Sequence, residues 1–510
     1  MEQQNNPSTP PMYQTSPYPP RVPLVVFPTG KGELLFGLWV LAFSLLLCNC
    51  LVYTGANLGF AAAELALMGG TAFYLIRRGH RFGWYEGTLL ALSAVIAAGF
   101  IRSDDMGMKF LMVLLLMAVP ALSFCIAAGQ NRWQPSGVLS LLDSPRVTFG
   151  LGLGSLGAMG RGLRKAFRAA GTLGKKTGAI GLGLLMAVPV VAIMIPLLMS
   201  ADAAFEGLLD LLPEFRLEEA MTTVILGGCL GVILYTRGVA LHHNPKNETT
   251  PMEVKGIHPL TVNTILFAVA AVYLVYLFSQ LAYFVGGFAG ILPEDFTMAE
   301  YARRGFFEMS ELCAINLTII ALAVGLVKKE GTAPLLTRLL CLFVGLITVF
   351  LVAAASAKMF LYIGAYGLTR ARVMTEVFML WLAVTTVLVC IWLFREKLPY
   401  MKLSLVLAMA LCAGLFWADV DAQVARYNVR AYQSGRLDTV DVDYLGYLSS
   451  GALPYMEELT ADSDPEIAAK AVEILENYEL FPYDDLRGWN YTEYRAAEIL
   501  EEYRTEPDVG

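Results

Sequence analysis

The chain has 510 residues, of which 56% are hydrophobic and only 16% charged, with a mean hydropathy of +0.56. A soluble domain carries nearer a quarter charged residues, so that class is excluded; continuous apolar runs also exclude a barrel of short alternating strands. The net charge of −7 divides unevenly: residues 1–418 hold 30 Lys and Arg against 23 Asp and Glu, while residues 419–510 hold 7 against 21, an acidic balance that argues against nucleic-acid binding.

Residues 1–33 contain eight prolines before position 29, with Gln, Asn, Ser and Tyr between them. That composition cannot form a core and reads as a disordered, Pro-rich N-terminal tail with polyproline II character. It does not read as a signal peptide, because the apolar run begins late, is too long and lacks a small-residue cleavage site. Residues 34–418 then form the transmembrane helical domain. Spans are expected at 34–53, 57–76, 85–101, 109–129, 179–199, 220–241, 261–286, 306–327, 339–363, 374–394 and 402–418, each near the length needed to cross roughly 30 Å of hydrocarbon. The third is short. The fold class is thus all-α: a polytopic transmembrane helix bundle of about 11 spans with a small C-terminal α-helical domain.

Loops after even-numbered spans are basic and hold 20 Lys and Arg, with Arg237 counted among them; the opposite loops hold seven, Lys109, Arg303, Arg304, Arg370 and Arg372 included. The positive-inside rule then puts the N-terminus in the cytoplasm and the acidic C-terminal domain outside the cell membrane. An even span count would reverse the side of that domain.

Loop 130–178 is basic and Gly-rich. Gly152, Gly154 and Gly157 have GxGxxG spacing, but follow no expected strand and precede no acidic residue at the ribose-binding distance, so a nucleotide site is not expected. Arg161, Arg164, Lys165, Arg168, Lys175 and Lys176 suit a connection lying against an anionic inner leaflet. Glu64 falls in the middle of the second span. An ionised carboxylate there costs roughly 2.5–3.5 kcal/mol, so it should face protein and either pair or stay protonated. Pro120, Pro189 and Pro196 are expected to kink their spans. Segment 200–219 is acidic and amphipathic. His242 and His243 sit in a polar stretch without a third ligand, and the eight cysteines fall within or beside apolar runs, so packing is the expected role and no metal site or cofactor is expected.

The densest cluster of opposed charges is DFTMAEYARRGFFEMSE, 295–311. On a helix, Glu300, Arg304 and Glu308 share one stripe, and Arg303 and Glu311 line up on another. Glu311 and Lys358 both lie about 8 Å below the outer surface of neighbouring spans, so Lys358 is expected to contact Glu311 or Glu308. With Tyr366, Arg370, Arg372 and Glu376 they would form one outer polar cluster. It would either staple the spans through ion pairs or bind a small charged solute.

In residues 419–510, helical patterns are expected over 422–433, 444–448, 453–459, 466–478 and 491–503, a small bundle of helical hairpins. Ile467, Ala468, Ala471, Val472 and Leu475 mark one apolar face, and Tyr494, Ala497, Ile499 and Leu500 another. The absence of His and Cys there rules out Ser-His-Asp and Cys-His catalysis in this domain.

AEYARRGFFE (299–308) with Asn316, YGLTRAR (366–372), ARYNVRAYQSGRLDTVDVDYLGYLSSGALP (425–454) and WNYTEYRA (489–496) resemble a bacterial family of multi-pass membrane proteins catalogued as a domain of unknown function, the 4153/4173 group. The resemblance runs from about 295 to 500 and implies an integral membrane protein with no assigned reaction. The expected function is a non-enzymatic envelope, signalling or scaffold protein, with the lipid bilayer and a protein bound by the C-terminal domain as partners. The alternative is a transporter or permease for a small charged solute.

Overall fold

The computed structural model describes residues 30–135, 137–169, 194, 217–243, 256–288, 298–328, 333–480 and 485–503, with side chains at 138, 163, 166, 167, 169, 217, 218, 280–288 and 298–308 outside the description. The structure is all-α among these residues. Among the described residues nine helices are long and apolar enough to cross a membrane, and a shorter apolar one accompanies them.

The N-terminal half contains α1 (Lys31–Thr54), α2 (Leu58–Arg77), α3 (Trp84–Gly99), α4 (Met106–Ala128), α5 (Leu156–Ala169) and α6 (Glu219–His243). The C-terminal half contains α7 (Pro259–Phe288), α8 (Met298–Leu326), α9 (Leu335–Tyr366), α10 (Arg370–Phe394) and α11 (Tyr400–Ala418). Ten expected spans coincide with helices here, the third being the short α3. The fifth, 179–199, and segment 200–216 lie outside the described residues except Met194, as do Pro189, Pro196, Lys175, Lys176 and the N-terminal tail up to Thr29.

In the N-terminal half α1 packs on α2, α2 on α3 and α3 on α4, and α1 also packs on α6; in the C-terminal half α9 packs on α7, α8 and α10, and α10 packs on α11. Small residues allow the close approaches. A Cβ on Gly227 would lie 2.9 Å from the Leu45 Cα, and one on Gly345 would lie 2.4 Å from the Cys390 Sγ. Lipid is as apolar as the helices, so this close packing replaces the hydrophobic drive available in water. α11 joins the halves, packing on both α3 and α10. Its Phe416 is buried against Phe100, and the Trp417 Nε1 donates to the Val95 carbonyl at 2.8 Å.

The 130–178 stretch differs from the expected loop. Residues 138–154 form short 3-10, α and π turns that pack between α4 and α6, burying Asp143, Val147 and Gly152. Ser144 donates to the Ala118 carbonyl at 2.7 Å, two residues before Pro120 in α4. Gly152 sits against Ile233, where a side chain would collide at 2.9 Å, and its carbonyl accepts from Thr236 at 2.8 Å. Gly152 therefore serves close backbone packing. The basic residues Arg161, Arg164, Lys165 and Arg168 are carried on α5.

The C-terminal domain consists of α12 (Val420–Gln433), α13 (Val442–Gly446), α14 (Leu453–Leu459), α15 (Pro465–Asn477) and α16 (Tyr491–Tyr503). All five match the expected helices to within two residues at each end. Val424, Val429, Leu453, Leu459, Leu475 and Leu500 form its core. The face of α16 is shifted from the expected one. Thr492, Ala496 and Leu500 are buried, whereas Tyr494 is 53% exposed. Asn490 sets this register by capping the helix, accepting from the Thr492 and Glu493 N–H groups.

Candidate functional site: the seam between bundle and C-terminal domain

The C-terminal domain docks on one face of the bundle, over the α1–α2, α3–α4 and α9–α10 turns. Three polar contacts, built from short sequence motifs, form this seam.

The first begins at Gly367, whose φ of +76° ends α9. Thr369 then caps α10, accepting from the Arg372 N–H. A Cβ at Gly367 would meet the Asn428 amide at 2.6 Å. Asn428, on α12, uses both ends of its amide on Leu368: it accepts from the N–H at 2.6 Å and donates to the carbonyl at 2.8 Å. The next residue but one, Arg370, reaches Asp421. Its Nε donates to Oδ1 at 2.8 Å and its Nη2 to Oδ2, a two-point contact with a fully buried carboxylate. The Ser449 N–H also donates to Asp421, at 2.8 Å, and Asp105 lies 3.3 Å from the Arg370 Nε. A planar guanidinium suits this bidentate geometry, whereas an ammonium would not.

In the second contact, Asp104 accepts from both the N–H and the hydroxyl of Ser450, and Asp105 caps α4 through the Gly107 and Met108 N–H groups. Asp419, whose φ is +54°, ends α11 and caps α12 by accepting from Ala422. Burial, and next the charge of Asp104, push the Asp419 carboxyl up to about 6. Burial likewise raises Asp105 and Glu493, against the pull of Arg370 and Lys109 respectively. Among the described residues the Asp104 Oδ1 and Asp105 Oδ2 are buried without a hydrogen-bond partner, although the Asp105 Oδ2 faces Arg370.

The third contact is the WNYTEYRA segment. Asn490 is 2% exposed and donates to the carbonyls of Ser103 at 2.9 Å and Phe100 at 3.2 Å, both at the α3–α4 turn. The Tyr491 N–H donates to Ile101 at 2.8 Å, and the Trp489 carbonyl accepts from the Leu58 N–H at 3.2 Å. Asn57, at the start of α2, donates to Gly488 and accepts from Lys109 at 2.6 Å. Lys109 reads as a loop cation in the sequence, yet it is 5% exposed on the first turn of α4. Arg487 bonds Asp485 and Asn49, and Asn49 in turn holds Glu219 and Thr223 on α6.

Of the expected outer cluster, Arg370 turns into the seam. Arg372 bonds the carbonyls of Tyr366 and Gly367 and lies over the Tyr362 ring at 4.2 Å, so it pins its own turn. Glu376 lies within α10, with Oε1 buried and without a hydrogen-bond partner among the described residues. Glu311 is exposed on α8, and no Glu311–Lys358 ion pair occurs among the described residues. Glu300, Arg303, Arg304 and Glu308 lie on helical backbone, but their side chains are outside the description, so the alternative Lys358–Glu308 contact is too. Asn316 joins a buried polar chain: it accepts from the Tyr273 hydroxyl at 2.6 Å and donates to Thr348 at 3.0 Å.

Glu64 stands apart from the seam, on α2. A charged neighbour is Arg237 of α6, which is 9% exposed, and whose Nε has no hydrogen-bond partner among the described residues. Arg237 therefore belongs to a span and not to a loop. On the face away from the C-terminal domain, His242 and His243 end α6, and the Nδ1 of His242 lies 3.1 Å from the Nε2 of His80. No group among the described residues could hold a metal ion.

Residues 88–459 match the family model described as Domain of unknown function (DUF4153). The chain belongs to that family. The match begins far upstream of the motifs read in the sequence and ends before WNYTEYRA. It takes in Arg370, Asp421 and Asp105 but not Asn490. No curated protein and no solved structure matches the chain.

Proposed function

We propose that this integral membrane protein is a non-enzymatic envelope or scaffold protein, whose docked acidic domain is an interaction platform. The observation that supports this reading most is the direction in which its charges point. Asp421 and Asp419 are buried in the seam, while Glu458, Asp464, Glu466, Glu473, Glu498 and Glu501 are exposed. A domain held by several buried polar contacts and coated in carboxylates suits a basic protein partner. Complementary charge steers such encounters and makes them salt-dependent. The excess of Lys and Arg in alternate loops supports an extracytoplasmic position for the platform. A reporter fused after Gly510 tests that side, and activity only in the cytoplasm would reverse it.

A photo-crosslinking residue at Tyr447, which is 85% exposed, tests the platform itself in intact cells. One discrete adduct that fades at high salt is the expected result. The second reading, a transporter for a small charged solute, draws on Glu64 and Arg237, because membrane charges mark solute and proton paths. Solute flux into proteoliposomes that is abolished by Glu64→Gln, with no crosslinked adduct, would replace the first reading with this one.

A further inference from the structure

The lipid-facing side of α1 and α2 carries a groove of about 720 Å³ near the face opposite the C-terminal domain. This lies within the roughly 300–1,000 Å³ of ordinary ligand clefts. Its floor is open at Gly69, where a side chain would meet nothing within 4 Å, whereas the Trp39 indole covers Gly70 and Arg78 lies beside Gly32; its walls include Leu35, Phe36, Trp39, Phe73 and Tyr74. The Trp39 ring is tethered across the helix pair, its Nε1 donating to the Ala66 carbonyl at 2.9 Å. Leu35 and Phe73 are 68% and 62% exposed, so the groove is continuous with the belt that faces acyl chains.

One end of this groove is charged. Arg77 and Arg78 close it. Arg78 is bound to Glu33 and so brings no net charge. Arg77 has no carboxylate within ion-pair distance among the described residues, and its guanidinium is held 5.5 Å above the Phe73 ring. An apolar trough with one uncompensated cation at its membrane-surface end complements an amphiphile with an anionic head. We propose that the α1–α2 groove is a binding site for an acidic phospholipid. One acyl chain lies over Gly69 against Trp39 and Phe73, and the phosphate meets Arg77. Basic pockets at helix ends recognise lipid headgroups in this way. The site is independent of the platform reading, since it lies on the other face of the bundle.

Native mass spectrometry of the full chain in detergent tests this, with phosphatidylglycerol and phosphatidylcholine of identical chains and with glycerophosphate as a chainless headgroup. The expected result is a preference for phosphatidylglycerol of about fivefold, the effect of one arginine near an anionic lipid. Arg77→Gln should abolish the preference but keep chain occupancy. Gly69→Leu should lower retention of both lipids, because a Cβ there meets nothing within 4 Å and the leucine fills the trough without displacing a neighbour. Equal retention of the two lipids by the native chain, an unchanged preference in Arg77→Gln, or displacement by glycerophosphate would overturn the proposal.

Discussion

Asn490 donates to the Ser103 carbonyl at 2.9 Å, across 387 residues of sequence. The last helix is thereby built onto the turn between α3 and α4, and the same side chain caps that helix. One residue thus couples the folding of α16 to its docking. Asn490→Ala removes the bonds donated to Ser103, Phe100 and Asn57 and the cap, and should weaken docking by about 2–3 kcal/mol. Hydrogen exchange over 485–503 should rise in this variant while exchange in α8 and α9 stays unchanged. Equal exchange in both regions would show that the contact does not hold the domain.

Arg370 and Asp421 lend themselves to a double-mutant cycle. Asp421→Asn leaves Arg370 with only the longer Asp105 contact as counter-charge and should cost about 2–4 kcal/mol, since removing one partner of a buried pair is worse than removing both. Arg370→Lys in protein that keeps Asp421 should itself destabilise docking, because one ammonium cannot make the two-point contact. A pairwise coupling above about 1 kcal/mol, read from chemical denaturation monitored in the C-terminal domain, checks this expectation.

Asp419 gives the seam a pH dependence. Its carboxyl titrates at about 6 in the folded protein against an ordinary 3.8. A raised carboxyl pKa stabilises the docked form fully below 3.8, and that contribution is lost as pH rises through 6. Docking should therefore strengthen between pH 7 and pH 4, by about 2–3 kcal/mol from this group alone. Asp105 and Glu493 shift in the same direction, whereas Asp485 is held low by Arg487 and opposes them. Asp419→Asn keeps the cap, tolerates the positive φ and mimics the protonated acid. It should raise stability at pH 7 and flatten the gain on acidification. Domain melting followed from pH 4 to 8 gives both readouts.

Glu64 and Arg237 should behave as a coupled pair. Glu64→Gln strips Arg237 of the charge beside it, and Arg237→Met does the reverse, so each single change should destabilise the bundle by about 2–3 kcal/mol. The double variant should recover part of the loss. Losses that simply add, measured by thermal unfolding in one detergent, would mean that the two do not interact.

The span positions, the all-α class and the five helices of the C-terminal domain were legible in the chain because each rests on local signals: runs of apolar residues about 20 long, 3.6-residue periodicity, and caps. Asp464 before Pro465 and Asn490 before Tyr491 are caps of this kind. The YGLTRAR, ARYNVRAY and WNYTEYRA stretches stand out by their residues, but their partners do not. Leu368 meets Asn428, Arg370 meets Asp421, and Asn490 meets Phe100 and Ser103, at separations of 51 to 390 residues. No local period encodes such a pairing.

Charge counting also misplaced two cations. Arg237 and Lys109 each end or begin an apolar run and so resemble loop residues, yet both are buried among helices. The sequence by itself determined that the chain crosses the membrane many times and that an acidic helical unit follows, because hydropathy and periodicity act residue by residue against the solvent. Only the tertiary structure decided which charges meet. A buried charge in a low-dielectric seam is tolerated only beside its counter-charge or hydrogen-bond partner, and that partner is set by how the helices pack.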